Sequence, residues 1–158
     1  MFRAAVLLAL ASALLLAQPA IAAKPVREDV PFEPFVLSAD VCGFEVLHEA
    51  VVNKTKQLTF SDGRQQTSGV LKLRLTNLET GESIVVNASG PGRFITQGDV
   101  LTVHARGPWT IFLFPGEPGG PGLFYYKGNT TYTLDLVTGA ITSITSTATP
   151  RDLCDDLS

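Results

Sequence analysis

Few side chains in this chain of 158 residues are equipped for chemistry, and the two histidines come first. His48 falls in a run from Cys42 to Val52 in which Phe44, Val46, His48 and Ala50 share one face of a strand. A histidine on the inner face of a β structure could serve as a general base. Its acidic neighbours Glu45 and Glu49 lie an odd number of positions away, so in a strand they point to the opposite side and cannot orient the imidazole. His48 therefore reads first as a core or rim histidine with a hydrogen bond, and only weakly as a catalytic candidate. His104 alternates with Leu101, Val103 and Ala105 and falls on the polar face, where a solvated histidine is the default.

The two cysteines, Cys42 and Cys154, have no catalytic motif around them. In an oxidising compartment two such thiols pair, which requires the two ends of the domain to be neighbours. Two separated histidines and two paired cysteines leave no zinc-ligand spacing, so no metal is expected. Asp152, Asp155 and Asp156 crowd the C-terminal end and read as a solvated acidic tail. The Pro/Gly-rich stretch Pro115–Gly122 lacks the Lys-Ser/Thr and the strand–helix context of a phosphate loop. Ser89, in Ala-Ser-Gly, is not a nucleophile elbow. No cofactor is implied, and the balance leans away from an enzyme.

A different kind of site is suggested by the aromatic residues flanking that stretch: Trp109, Phe112, Phe114, Phe124, Tyr125, Tyr126 and Tyr132. Aromatic side chains are enriched in strands, so ordinary core packing explains them. Lining of a cavity or an exposed patch for an apolar ligand or partner is the functional reading. Its candidate residues are Trp109, Phe112, Phe114, Phe124 and Tyr126, with Pro115–Gly122 as the recognition loop. Three of the four asparagines, Asn53, Asn87 and Asn129, stand in N-glycosylation sequons.

The elements that must position these residues begin after an N-terminal leader. Arg3 precedes an apolar run over residues 4–17, and Ala20-Ile21-Ala22 supplies small residues for signal peptidase. This is the pattern of a cleaved secretory signal peptide over residues 1–22. The run is too short for the ~30 Å hydrocarbon core, which needs about 20 residues. No comparable run follows, so no membrane span is expected after cleavage, and the location read from the sequence is extracellular. A formal net charge of −3 gives no basic surplus for nucleic acid.

Residues 23–41 read as a Pro-rich arm: Pro25, Pro31 and Pro34 resist helix and central strand, while Phe32 and Phe35 are placed to dock on the body. Residues 42–158 read as a single β domain. Short alternating or β-branched runs, about nine in number, are separated by turn signals such as Ser61-Asp62-Gly63, Asn77–Gly81, Gly90-Pro91-Gly92 and Thr138-Gly139. Leu123–Lys127 and Thr130–Val137 read as a hairpin around Gly128-Asn129. Trp109–Phe114 is apolar on both faces and should be buried on both or face a hydrophobic partner. Short connections imply an antiparallel meander, closed as an up-and-down barrel of about 8–9 strands, with a two-layer β-sandwich as the alternative. Cysteines at the two ends favour closure, because a barrel sets its first strand beside its last.

Cys42-Gly43-Phe44, Phe60-Ser61-Asp62-Gly63, the stretch TNLETGESIVVNASGPG (76–92), Gly107-Pro108-Trp109 and Asp152-Leu153-Cys154 together resemble small exported all-β proteins of high-GC Gram-positive (actinobacterial) bacteria. The resemblance covers most of the domain. It implies an extracellular β domain, carries no catalytic residues, and makes the sequons incidental. Lipocalins are a fold-level analogy only, since their Gly-x-Trp signature is absent from the first strand. The function expected is a secreted, non-enzymatic binding module for a hydrophobic small molecule, an envelope component or another protein. The alternatives are a barrel-cavity enzyme such as an isomerase or cyclase, with His48 its one candidate, and a structural or adhesive envelope protein.

Overall fold

The computed structural model describes residues 24–158, so the expected signal peptide lies outside the described residues. In chain order the elements are β1 (Val26–Asp29), β2 (Phe35–Leu37), α1 (Ala39–Cys42), β3 (Val46–Asn53), β4 (Lys56–Thr59), β5 (Gln65–Ser68), β6 (Leu71–Asn77) and β7 (Ser83–Asn87). There follow β8 (Gly92–Gln97), β9 (Val100–Arg106), β10 (Trp109–Leu113), β11 (Gly122–Tyr126), β12 (Asn129–Asp135), β13 (Ile141–Ser146), β14 (Arg151–Asp152) and α2 (Leu153–Leu157). The fold is all-β and its ladders are antiparallel. One sheet has the order β1-β4-β5-β8-β9-β12-β13, a second β2-β3-β6-β7 and a third β10-β11-β14.

None of these sheets closes on itself, which corrects the expected barrel; the layered alternative fits. The reason lies in the connections, which are of two kinds. At Ser61-Asp62-Gly63, Asn77–Gly81 and Thr138-Gly139 the chain reverses, and the strands on either side pair. Between β3 and β4, β5 and β6, β7 and β8, β9 and β10, and β11 and β12 the chain only bends, and the two strands enter different sheets. The corner at Gly69 lies against the corner at Lys54, whose N–H donates to the Val70 carbonyl at 2.7 Å. Gly69 has φ +133, and a Cβ there would meet the Lys54 and Thr55 backbone at 2.9 Å, so the two corners approach only over a glycine. Each bent pair thus acts as one long strand crossing two sheets.

The hairpin expected around Gly128-Asn129 is such a corner instead. Gly107 donates to the Gly128 carbonyl at 3.1 Å, while β11 pairs with β10 and β12 pairs with β9 and β13. The sheets part at one further place. β8 and β9 pair, but their continuations β7 and β10 share no ladder.

The arm is not a separate appendage. β1 pairs with β4 and β2 with β3, each as the edge strand of its sheet, and Pro25, Pro31 and Pro34 stand outside the strands. The domain ends meet through single helical turns rather than through first and last strands. Cys42 in α1 and Cys154 in α2 form a disulfide with Cα atoms 5.2 Å apart. Asp152 caps α2 by accepting from the Cys154 N–H at 2.8 Å, and Asp156 pairs with Arg151 at 2.7 Å, so part of the acidic tail is structural.

Apolar side chains gather in two clusters. The first joins Val46, Leu73, Leu75 and Val86 of the four-stranded sheet to Leu123 of β11 and to Leu153 and Leu157 of α2. The second joins Ile111, Leu113 and Tyr126 to Ile141, with Phe124, Tyr132, Leu134 and Ile144 packed against them. Alternation along β11 sends Leu123 and Tyr125 to the first cluster and Phe124 and Tyr126 to the second. The β10–β11 ribbon is therefore an inner layer with apolar neighbours on both sides.

Candidate functional site

Where β7 and β10 part, a cavity of about 350 Å³ lies between the four-stranded sheet and β10. Phe35 of β2, His48 of β3, and Leu71 and Leu73 of β6 line one side. Trp109, Thr110 and Phe112 of β10 line it too. Phe94, Thr67 and Gly90 come from the bent seven-stranded sheet and its corners, and Val30 and Phe32 from the arm. None of the lining residues is Asp, Glu, Lys or Arg.

His48 is 2% exposed. Its position in β3 sets it directly across from Phe35 on β2 and Leu75 on β6. The imidazole stacks on the Phe35 ring, with centroids 4.6 Å apart and planes 14° from parallel. Nδ1 lies 3.2 Å from the Val46 carbonyl oxygen. A carbonyl only accepts, so Nδ1 carries the hydrogen and donates, and the neutral ring leaves a lone pair on Nε2. Nε2 is buried and has no partner among the described residues. Desolvation by burial holds the His48 pKa below its ordinary 6.5, outweighing the backbone bond to Val46 that raises it.

Trp109 owes its position to two glycines. A Cβ on Gly90 would fall onto the indole Cδ1 and Nε1 and the Arg106 carbonyl, and one on Gly92 would stand 2.6 Å from Cζ2. The indole thus lies against the bare backbone of the corner between β7 and β8, with the Phe94 ring 6.2 Å away. Its Nε1 is also buried without a partner among the described residues. Ser89, by contrast, is occupied: its hydroxyl accepts from the Leu71 N–H at 2.9 Å and donates to the Leu71 carbonyl at 3.1 Å.

The five aromatic candidates are divided by the fold. Trp109 and Phe112 line the cavity with His48. Phe114 lies outside it, its ring edge-on to Phe112 at 5.8 Å. Phe124 and Tyr126 turn to the second core cluster, their ring centroids 6.4 Å apart. Burial there raises the Tyr126 pKa from 10.0. The residues that sequence reasoning did not assign to a site are Phe32, Phe35, Leu71, Leu73 and Phe94. Phe32 and Phe35 were legible as docking residues, but their place depends on β2 pairing with β3. Phe35, Phe112 and Phe114, each 37–38% exposed, form a rim at the cavity edge, with Phe35 and Phe112 centroids 6.2 Å apart.

The loop Pro115–Gly122 is clamped rather than free. The Glu117 carboxylate accepts from the Phe114 N–H and from the Ile141 N–H, each at 2.7 Å, which fastens the loop to β13. His104 is exposed on the seven-stranded sheet, with Nδ1 3.1 Å from Thr131 Oγ1 and Arg93 across from it on β8. Among the described residues no three or more His, Cys, Asp or Glu side chains gather as a metal would need.

Chemically the cavity can hold an apolar body beside the hydroxyl-bearing Thr55, Thr67, Ser68, Ser89 and Thr110. No second titratable side chain lines it that could serve as acid to the histidine's base. No family model matches the chain, and no curated protein or solved structure is significantly similar to it.

Proposed function

We propose that the protein is a secreted, non-enzymatic module that binds a small, largely apolar molecule in the cavity between the four-stranded sheet and β10. The observation that carries this reading is the cavity itself: about 350 Å³, walled by Phe32, Phe35, Leu71, Leu73, Trp109 and Phe112, without a charged lining residue. Ligand pockets run from about 300 Å³ upward, and a dry cavity of about 150 Å³ already accepts benzene. The volume suits a molecule of roughly a dozen non-hydrogen atoms. Export is supported by the leader pattern over residues 1–22 and by the Cys42–Cys154 disulfide, which belongs to oxidising compartments. The resemblance to exported actinobacterial β proteins supports the same location.

Trp109 is the chain's single tryptophan, so its fluorescence reports from the cavity wall. Titration of the disulfide-bonded protein with N-phenyl-1-naphthylamine, a neutral apolar probe, should give saturable quenching of that emission. Ala88→Phe, which fills the cavity from the end of β7, should abolish saturation while leaving the far-ultraviolet circular dichroism unchanged. Linear, unsaturable quenching in the parent protein would count against a binding cavity. A second reading, an enzyme with His48 as a single base that removes and returns a proton, draws on the buried lone pair of Nε2. The absence of a partnering acid in the lining makes binding the better-supported function.

A further inference from the structure

We infer that a groove on the outer face of the seven-stranded sheet, over β5, β8, β9 and β12, binds a carboxylated polysaccharide, with Arg93 and Arg106 pairing to its carboxylates. This surface is additional to the apolar cavity and does not depend on what the cavity holds. The groove has a volume of about 630 Å³, and Gln66, Arg93, His104, Arg106, Asn129 and Thr131 line it. The ladder sets these side chains next to one another. Gln66 lies directly across from Arg93, Arg93 from His104 and His104 from Thr131. Arg106, two places along β9 from His104, lies across from Asn129. Residues directly opposite or two apart share a face. That face is the outer one, because Arg93, His104 and Arg106 are exposed while Val103 and Ala105 are buried.

The charge of the groove has one sign. The chain carries a formal net charge of −3, yet no Asp or Glu lines the groove. Other strand cations have acidic neighbours: Lys56 pairs with Asp29, and Arg74 lies across from Glu49. Arg93 instead has Gln66 on one side and the basic His104 on the other. Among the described residues neither Arg93 nor Arg106 forms an ion pair. A guanidinium presents its N–H donors as a planar fork that matches a carboxylate.

The occupant follows from what surrounds these cations. A protein partner would call for a desolvated apolar centre with aromatic anchors, and single-stranded nucleic acid for rings to stack on. The groove has no Phe, Tyr or Trp, and its larger apolar residues are Leu58 and Pro91. Beside its cations it offers amides and hydroxyls, which match the hydroxyls that a uronate chain carries beside its carboxylates. From Gln66 to Thr131 the row crosses β5, β8, β9 and β12, roughly 14 Å at about 4.8 Å per strand, longer than one sugar ring.

Hexagalacturonate, its fully methyl-esterified form and hexaglutamate, titrated calorimetrically into the disulfide-bonded protein at pH 7.5, test this. Hexagalacturonate should bind saturably and more weakly as salt is added. The ester keeps the ring hydroxyls and loses the charge, and should bind about tenfold or more weakly. Arg93→Gln and Arg106→Gln should each weaken hexagalacturonate about two- to fivefold and the double variant about tenfold, with the far-ultraviolet circular dichroism unchanged. Lys72→Gln, exposed on the four-stranded sheet, should leave its affinity unchanged. Absence of saturable hexagalacturonate binding, equal binding of acid and ester, an equal loss in Lys72→Gln, or full affinity in the double variant each overturns the inference. Hexaglutamate binding as tightly as hexagalacturonate overturns the polysaccharide in favour of an acidic protein segment.

Discussion

The two faces of the β10–β11 ribbon carry similar apolar side chains and meet different surroundings. Toward β12 and β13, Ile111, Leu113, Phe124 and Tyr126 are packed against Tyr132, Leu134, Ile141 and Ile144. Toward the four-stranded sheet, β11 and α2 fill the space with Leu123, Leu153 and Leu157, each wholly buried. Beside them the ladder between β7 and β10 is missing, and Thr110 and Phe112 look onto a cavity. The contrast teaches that the site comes from strand pairing rather than from composition. Where the corners part, a space of about 350 Å³ remains beside the four-stranded sheet; on the other face Ile111, Tyr132, Leu134 and Ile141 line a smaller one of about 290 Å³.

The comparison can be broken by truncation. Leu113→Ala, on the filled face, should cost about 2–5 kcal/mol in urea unfolding, because a packed core collapses poorly around the deletion. Phe112→Ala, at the half-exposed rim, should cost roughly 1–2 kcal/mol, since much of its ring is already in water. Equal costs would deny that the two faces differ in packing.

The disulfide ties α1 to α2 against the first cluster. Replacing both cysteines by serine should lower stability by about 2–5 kcal/mol, with the loss read from the urea midpoint. It should also loosen α2 from β11, seen as faster hydrogen exchange at the Leu123 amide, which lies 3.3 Å from Cys154 Sγ. Unchanged exchange there would place the disulfide's effect wholly in the unfolded chain.

Glu117→Gln sharpens the filled face at its loop. It removes the charge from two backbone hydrogen bonds and should cost about 1–3 kcal/mol, with exchange at the Phe114 and Ile141 amides rising together. If only one amide responds, the carboxylate does not act as a single clamp.

The smallest effects are on pH dependence, and they take opposite ends of the scale. Burial disfavours charge, so it lowers a buried base and raises a buried acid. On the cavity face, His48 is held below 6.5. Its contribution to stability is complete above 6.5 and is lost as pH falls from there through its folded pKa, because the unfolded chain takes up the proton first. On the filled face, burial pushes the Tyr132 pKa from 10.0 up to about 12. Its contribution is complete below 10 and is lost as pH rises from there through about 12. Urea midpoints across pH 4–7 should slope for the parent protein and flatten for His48→Phe. Tyrosine absorbance at pH 11 should show phenol still protonated, and Tyr132→Phe should remove its latest-titrating part while Tyr126 keeps its own upward shift. A retained acid slope in His48→Phe would assign that titration to another group.

Much of the local order was legible in the chain. The alternation of Leu71, Leu73 and Leu75, the turn at Ser61-Asp62-Gly63 and the doubly apolar run from Trp109 to Phe114 each encode a strand or reversal through nearest neighbours. The site was only half legible. His48, Trp109 and Phe112 stood out, but so did Phe124 and Tyr126, which the alternation of β11 turns to the opposite side. The Pro/Gly-rich loop drew attention through its composition, while the partner of its Glu117 lies far along the chain at Ile141. Gly90-Pro91-Gly92 marked the end of a strand, and nothing local to it shows that an indole rests on those two glycines.

What the sequence by itself determined is therefore everything set by period-two patterning and by turn chemistry: an all-β domain, its antiparallel neighbours across the tight reversals, and two cysteines at its ends. Which connections reverse and which merely bend was decided by the tertiary structure. Glycine serves a reversal at Gly63 and a corner at Gly69 alike, both at positive φ, and the difference is expressed only through the backbone each one packs against. That choice parts β7 from β10, and it sets His48 and Trp109, 61 positions apart in the sequence, on the wall of the same cavity.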